Sequence, residues 1–161
     1  MEYLDIVNKD DEVIGKEERG AIYEKSHIHR IVHVLVFNDL GEIALQKRAD
    51  DASYRPKHWG STAAGHVKSG ETYEQAASRE LMEEAGINVD VKFLNKFYYE
   101  AEGKQKFLAL FSATWNDQLE STSDEGSETR FVALSKLSHM KQDGELFMPE
   151  LTFLLARQFD L

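Results

Sequence analysis

The sequence predicts a mixed α/β protein. Residues 31–37, IVHVLVF, are rich in β-branched and apolar side chains, a composition typical of a buried strand. Residues 73–85 are expected to be helical, because Thr72 suits the N-cap and Gly86 suits the left-handed residue that ends a helix. Strand patterns lie on both sides of this helix, and a second helix pattern closes the chain. We therefore expect one α/β domain over residues 1–161.

The first half of the chain is expected to supply mainly strands. Residues 2–8 alternate loosely and run into the turn-rich residues 8–11, which indicates a hairpin with residues 12–15. Pro56 disfavours a strand in the following loop. The remaining elements predicted here are a short helix at 17–25, a hairpin loop at 38–41, a strand at 43–47, a loop at 50–58 and a short strand at 59–63.

The second half is expected to alternate strands with helices. A turn near Glu102 and Gly103 separates two strands, and Pro149 suits the first turn of a final helix. The predicted elements are strands at 89–99 and 107–115, a polar acidic loop at 116–127, a strand at 129–134, a short helix from Ser135 and the final helix with Leu151, Leu154, Leu155 and Phe159 as apolar residues.

The composition limits the possible classes of protein. With 161 residues and 42% hydrophobic residues, the chain should form a globular core. Its net charge of -10 disfavours binding to nucleic acid or to an anionic membrane. The absence of cysteine excludes disulfides, thiolate metal sites and a cysteine nucleophile. An acidic N-terminus and the lack of a long apolar run lead us to expect a cytoplasmic protein.

An acidic face on the central predicted helix points to function. Glu80, Glu83 and Glu84 have i, i+3, i+4 spacing and share one side of the helix. Like charges at such spacing destabilise a helix by about 0.2–0.5 kcal/mol per pair. A cation above the face would reverse that effect, and clustered carboxylates suit Mg²⁺, which also binds phosphate. A solvated acidic face with an Arg79–Glu83 ion pair is the alternative.

Residues 65–87 resemble the signature of the Nudix hydrolases. That pattern is Gly, five residues, Glu, seven residues, Arg-Glu, an aliphatic, any residue, Glu-Glu, any residue, Gly and an aliphatic. Its defined positions are filled by Gly65, Glu71, Arg79, Glu80, Leu81, Glu83, Glu84, Gly86 and Ile87. The resemblance implies an α/β/α sandwich around a mixed sheet. It also implies metal-assisted hydrolysis of a diphosphate bond, typically in a nucleoside diphosphate derivative.

The resemblance also implies roles for these residues. Glu80, Glu83, Glu84 and the Gly65 carbonyl would hold Mg²⁺, or Mn²⁺, while Glu71 and Arg79 would pair and orient the loop against the helix. The general base would be either a signature glutamate or an acid on a distant loop. The candidates for such an acid are Glu125 and Glu128, which also fit a solvated acidic loop.

Substrate contacts are less sharply indicated. Lys47 and Arg48 precede the signature and could bind phosphate, although a surface position fits equally well. Tyr54, Trp59 and Phe97 could stack on a base or belong to the core. The expected partner is a small-molecule diphosphate, without nucleic acid or membrane, and the family resemblance admits a homodimer.

Segments outside the signature resemble the type I isopentenyl-diphosphate isomerases, which share the Nudix fold. The similar segments are residues 28–37 and 59–66, and His29 and His66 fall where the isomerases have metal-binding histidines. Ala64 stands in place of the isomerase cysteine, and the isomerase's acidic pair falls near Lys104 and Lys106. Because isomerisation needs positioned acid and base groups, these replacements disfavour it.

Three functions therefore follow from the sequence. The first is a Mg²⁺-dependent diphosphate hydrolase, the second is an isomerase of isoprenoid diphosphates, and the third is a non-catalytic binding module with the same fold. The intact Glu80, Glu83 and Glu84 favour the first. The substrate itself is not indicated.

Overall fold

The computed structural model describes residues 1–120 and 126–161. The strands are β1 (Tyr3–Val7), β2 (Val13–Glu18), β3 (His29–Phe37), β4 (Ile43–Arg48), β5 (His58–Gly60), β6 (Ala63–His66), β7 (Lys92–Ala101), β8 (Lys104–Thr114), β9 (Gly126–Val132) and β10 (Leu146–Phe147). The helices are α1 (Arg19–Glu24), α2 (Tyr73–Ala85), α3 (Leu137–Gln142) and α4 (Pro149–Phe159), with a 3₁₀ turn at Leu134–Lys136. Among the described residues, no helix is long and apolar enough to cross a membrane.

The main sheet is mixed, as predicted. Its strand order is β10-β5-β4-β3-β8-β7, with β6 also paired to β3 and β9 also paired to β4. β3 runs parallel to β8, whereas β4, β5, β6, β7 and β9 make antiparallel pairs. β1 and β2 form a separate hairpin, which confirms the prediction for the N-terminus.

Two apolar clusters cover the two faces of the sheet. Alternate residues of β3 point to opposite faces, so one strand contributes to both clusters. One cluster contains Val32, Val34, Val36 and, from α2, Ala77 and Leu81; the other contains Ile31, Leu35 and, from α4, Leu151 and Leu154. Helices therefore pack on both faces, and the α/β/α sandwich is confirmed.

The prediction of a single short strand at 59–63 is wrong. The chain forms two strands there, β5 and β6, which are separated by Ser61 and Thr62. Thr62 is buried, its hydroxyl donates to the Ala44 carbonyl at 2.5 Å, and it accepts from the Val36 amide at 3.0 Å. Because this side chain bridges β3 and β4, the chain changes partners at Thr62. β6 then pairs with β3 and leads directly into Gly65.

Smaller differences concern the ends of elements. β3 begins at His29 rather than at residue 31, and β9 begins at Gly126 within the predicted acidic loop. The two-residue strand β10 lies parallel to β5 and carries no periodic pattern that would predict it.

Candidate active site

The N-terminal hairpin holds the loop that joins β6 to α2. Asp5 accepts a hydrogen bond from the Ser69 hydroxyl at 2.7 Å and one from the Gly70 amide at 3.3 Å. At the start of α2, Thr72 and Gln75 form a reciprocal capping box. The loop is thus held in its middle by Asp5 and at its junction with α2 by the capping box.

Arg79 connects this loop to the acidic face of α2. Its Nε donates to Glu71 at 2.7 Å, and its Nη2 donates to Glu71 and to the His66 carbonyl, each at 2.9 Å. Its Nη1 donates to Glu80 at 2.8 Å and to Glu83 at 3.3 Å. The hydrogen bonds with Glu71 raise the pKa of Arg79 and lower the pKa of Glu71. Both groups therefore stay charged near neutral pH.

The Glu80 carboxylate packs directly against the main chain of Gly65. A Cβ placed on Gly65 would overlap the Glu80 carboxylate. Burial raises the pKa of Glu80 above its ordinary value, although Arg79 acts in the opposite direction. A divalent cation beside this carboxylate would favour its charged form. The donor set around Gly65, carboxylate oxygens and a main-chain carbonyl, therefore fits a hard ion such as Mg²⁺.

The other two carboxylates also bond within this segment. Glu84 accepts from the Ala64 amide at 3.1 Å, and the Glu83 side chain, 55% exposed, reaches Arg79. In the part of the chain that the structure describes, no three His, Asp or Glu side chains converge on a point suited to a metal ion. Glu80, Glu83 and Glu84 would therefore have to reorient to share an ion.

A cavity of about 460 Å³ opens next to this segment. Ala64, Gly65 and His66 form one wall, so the cavity begins at the main chain of β6. Among the described residues, its charged lining consists of five cationic side chains and two carboxylates: Arg19, Arg48, Arg55, Lys104, Lys106, Glu102 and Glu150. In a chain of net charge -10, this excess of cations favours an anionic ligand.

Lys106 and Glu150 form an ion pair inside the cavity. The Lys106 ammonium lies 3.1 Å from the Glu150 carboxylate, and the two side chains are only 11% and 13% exposed. Burial raises the pKa of Glu150, but Lys106 and the hydrogen bond from the main-chain amide of Glu150 act in the opposite direction, and the pKa lies below its ordinary value. The carboxylate is therefore charged although it is almost enclosed.

The histidines around the cavity are neutral near pH 7. Burial lowers the pKa of His66 to about 3, and the pKa values of His29 and His33 to about 4. His66 Nε2 lies 2.5 Å from the Tyr23 hydroxyl, and His33 Nδ1 lies 2.8 Å from the Ser61 hydroxyl. The buried His29 Nε2 has no hydrogen-bond partner in the described chain, and its ring stacks on that of His66.

Comparison with known proteins identifies the family. A model of the NUDIX domain matches residues 27–155. The chain belongs to the Nudix family. Its enzymes act on phosphorus-containing anhydrides.

Individual relatives agree with this assignment. An uncharacterized Nudix hydrolase of Listeria monocytogenes is 34% identical, over 100% of this chain and 95% of that protein. A protein of Photorhabdus laumondii named isopentenyl-diphosphate Delta-isomerase 2 is 31% identical, over 84% of this chain and 80% of its own length. The crystal structure of DR0079 from Deinococcus radiodurans superposes with a TM-score of 0.82 at 23% identity, covering 98% of this chain and 99% of the other, which shows the shared fold.

In this Nudix protein, Lys47 and Arg48 lie on opposite sides of β4, because successive strand residues alternate. Arg48 lines the cavity and donates to the Tyr54 carbonyl at 2.7 Å. The Lys47 ammonium lies 3.8 Å from Glu145 and faces the ring of Trp59. Arg48 is therefore the member of this pair that can contact a ligand in the cavity.

The aromatic candidates and the distant acids are placed as follows. Trp59 is fully buried and Phe97 packs against the same apolar cluster, whereas Tyr54 is 44% exposed and lines the cavity. Glu128 lies opposite Lys47 in the β4–β9 pair and outside the described lining of the cavity. Glu125 lies outside the described residues.

Sequence reasoning missed two members of the Nudix site region. Tyr23 reaches His66 across 43 positions, and Glu150 reaches Lys106 across 44. The sequence does contain an indication of the second pair. Lys106 adjoins the apolar segment FLALF of a predicted strand, and a lysine buried beside such a segment requires an anionic partner.

Proposed function

We propose that this Nudix protein is a Mg²⁺-dependent hydrolase of a diphosphate bond in a nucleoside diphosphate derivative or a related small molecule. The observation that carries the proposal is the close approach of Gly65 to Glu80 beneath Arg79. This packing sets one carboxylate of the acidic face of α2 against the main chain of Gly65, which also lines a cavity rich in cations.

Glu80, Glu83, Glu84 and the Gly65 carbonyl would hold Mg²⁺, with Mn²⁺ as a substitute. When bound, the ion supplies charge neutralisation at phosphate oxygens and lowers the pKa of water. Arg79 orients Glu71 and Glu80, and therefore acts through them rather than on the substrate. The substrate extends from Gly65 into the cavity.

Two side-chain functions complete the proposal. Arg48, at the cavity wall, binds phosphate oxygens of the substrate and helps to align the bond for in-line attack. A carboxylate accepts a proton from the attacking water, and the candidates are a signature glutamate and the more distant Glu125 and Glu128.

The experiment is a hydrolysis panel of diphosphate compounds with Mg²⁺, Mn²⁺ or EDTA. We expect turnover of at least one compound with Mg²⁺ and none with EDTA. Glu83→Gln and Glu84→Gln should each lower kcat at least about 100-fold. Glu128→Gln separates the candidate bases, because a comparable loss there would assign the proton transfer to β9.

Glu74→Gln is the matched control. It makes the same isosteric change on an exposed residue of the same helix, away from the acidic face. Wild-type turnover by both signature variants would contradict the metal assignment. Turnover that persists in EDTA would contradict metal dependence.

Isomerisation of isopentenyl diphosphate is the second candidate, favoured by the similarity to the Photorhabdus laumondii protein. Ala64, Lys104 and Lys106 line the cavity in this chain, so the groups named for the isomerase are absent from the described lining. Product analysis by NMR separates the two functions, since isomerisation moves a double bond whereas hydrolysis releases phosphate.

A further inference from the structure

The ion pair of Lys106 and Glu150 has no part in the proposed hydrolysis. β8 supplies Lys106 and the first turn of α4 supplies Glu150, and both side chains line the cavity that begins at Gly65. An inference about this pair rests on the proposed function, because it concerns the part of the substrate that lies beyond the diphosphate.

The pair is incompletely satisfied by the protein. An ammonium has three N–H donors, and Lys106 donates to Glu150 at 3.1 Å, with the centroid of the Tyr99 ring 5.7 Å from its Nζ. The Glu150 carboxylate also accepts a hydrogen bond from its own main-chain amide and keeps further lone pairs. Taking two charges out of water is costly unless further hydrogen bonds satisfy them. A ligand that fills this cavity must therefore replace the water it displaces from both groups.

An apolar tail fails this requirement. A hydrocarbon chain against Lys106 and Glu150 would displace water without offering a donor or an acceptor, and unsatisfied charged groups are more costly than neutral ones. A ligand group that carries a hydrogen-bond acceptor next to a donor can replace the displaced water. The acceptor takes a hydrogen bond from the ammonium, and the donor gives one to the carboxylate.

We propose that Lys106 and Glu150 recognise a polar substituent of the substrate that offers adjacent acceptor and donor atoms, and that they select against an apolar tail. Two chemical sources present such a group: the vicinal hydroxyls of a sugar and the polar edge of a nucleobase. Lys106 and Glu150 are specificity-determining residues, and the proposed function places the reacting phosphate at the Gly65 wall of the same cavity.

The test is a binding titration in Mg²⁺ on the wild-type protein, with each probe recovered afterwards to verify that it is intact. The probes are ADP, 2′,3′-dideoxy-ADP, ribose 5-diphosphate and isopentenyl diphosphate. We expect ADP to bind at least tenfold more tightly than isopentenyl diphosphate. Dideoxy-ADP lacks the ribose hydroxyls, so weaker binding than ADP identifies the hydroxyls as the recognised group. Ribose 5-diphosphate lacks the base, so weaker binding than ADP identifies the base.

Variants of the pair give the decisive comparison. Lys106→Met and Glu150→Gln should each weaken ADP binding at least tenfold and leave isopentenyl diphosphate binding within threefold. Lys106→Arg keeps the charge and should recover part of the loss. Lys92→Met, on exposed Lys92 of β7, is the matched control and should bind both probes as the wild type does. Melting temperatures verify that each variant is folded.

Failure of this inference differs from failure of the proposed function. Equal loss for both probes in the pair variants, tighter binding of isopentenyl diphosphate, or no binding of any probe would overturn the inference. The binding test does not depend on turnover. If no compound of the panel is hydrolysed, the hydrolase proposal fails. If Lys106→Met nevertheless loses the preference for ADP, the recognition proposal stands. Parallel kinetics on the hydrolysed compound should show a raised KM with kcat changed less than threefold.

Discussion

Glu71 and Arg79, from the loop and the helix of one segment, meet through two hydrogen bonds of 2.7 and 2.9 Å. The same guanidinium reaches Glu80 and the His66 carbonyl. The position of the Glu80 carboxylate beside Gly65 therefore depends on a contact made by Glu71, which does not itself lie on the acidic face.

Replacing Arg79 should reduce activity through this contact. Arg79→Lys keeps a charge but cannot make the paired hydrogen bonds of a guanidinium, and Arg79→Ala removes them altogether. A misplacement of about 1 Å at a reacting group can lower the rate about 10²-fold. We expect kcat/KM to fall at least about tenfold in Arg79→Lys and further in Arg79→Ala, as measured by steady-state hydrolysis. Arg157→Lys, on an exposed residue of α4, should have no effect.

Gly65→Ala should disrupt the site by steric overlap. The added methyl group would meet the Glu80 carboxylate, so either the carboxylate or β6 must move. Such overpacking typically costs about 1–3 kcal/mol of unfolding free energy. We expect a lower urea midpoint together with loss of Mg²⁺-dependent turnover.

Gly20→Ala is the control for that substitution. Gly20 lies in α1 with no atom within 4 Å of the added methyl group, and alanine is the better helix former. It should leave turnover unchanged and should not lower the midpoint. A Gly65→Ala protein as active and as stable as Gly20→Ala would refute the steric explanation.

Thr62→Val should destabilise the sheet. The change keeps the shape of the side chain but leaves the Val36 amide and the Ala44 carbonyl without the hydroxyl that bridges them. Leaving such buried groups unsatisfied costs about 1–3 kcal/mol, measured by chemical denaturation. Thr62→Ser retains the hydroxyl and should lose clearly less. A loss in Thr62→Val no larger than that in Thr62→Ser would contradict a dominant role for the hydroxyl.

The buried His33 should make the fold sensitive to mild acid. Burial lowers its pKa to about 4 from the ordinary 6.5, so the unfolded chain binds a proton at a higher pH than the folded chain does. The stabilising contribution is complete above pH 6.5 and is lost as the pH falls from 6.5 towards 4. Between pH 7.5 and 5.0 the loss is about 2 kcal/mol for this one group.

His33→Asn tests that assignment, because asparagine can retain the contact with Ser61 but does not titrate. Unfolding free energies at pH 7.5 and 5.0 should differ less in this variant than in the wild type. The exposed His139, replaced in the same way, should leave the difference as it is. An undiminished acid sensitivity in His33→Asn would assign the effect to other groups.

Local signals in the sequence were sufficient for the central helix and for most strands. Thr72 and Gly86 act on their own neighbours, and the structure shows a capping box at one and a φ of 66° at the other. The buried strand around Val34 needed only its own composition. Elements whose ends are marked by capping or turn residues could therefore be predicted with approximate boundaries.

Features that depend on distant partners could not be predicted. Thr62 breaks a strand because its hydroxyl bonds to two other strands, which the residues around it do not reveal. The pairing of Lys106 with Glu150 joins β8 to α4, and no periodicity links them. The family signature supplied the acidic face, whereas the cavity beside it is created only by the tertiary fold.

The N-terminal hairpin lies outside the family match but is bonded to the candidate active site. The family match begins at residue 27, yet Asp5 holds the loop at Ser69, and Asp11 bonds to Arg30, Tyr73 and Lys96. Tyr23 also precedes the match and reaches His66. A chain shortened to residues 27–155 would keep every signature residue but lose the supports that fix their loop. Boundaries drawn from similarity alone would thus cut the hydrogen bonds that join the hairpin to the signature loop.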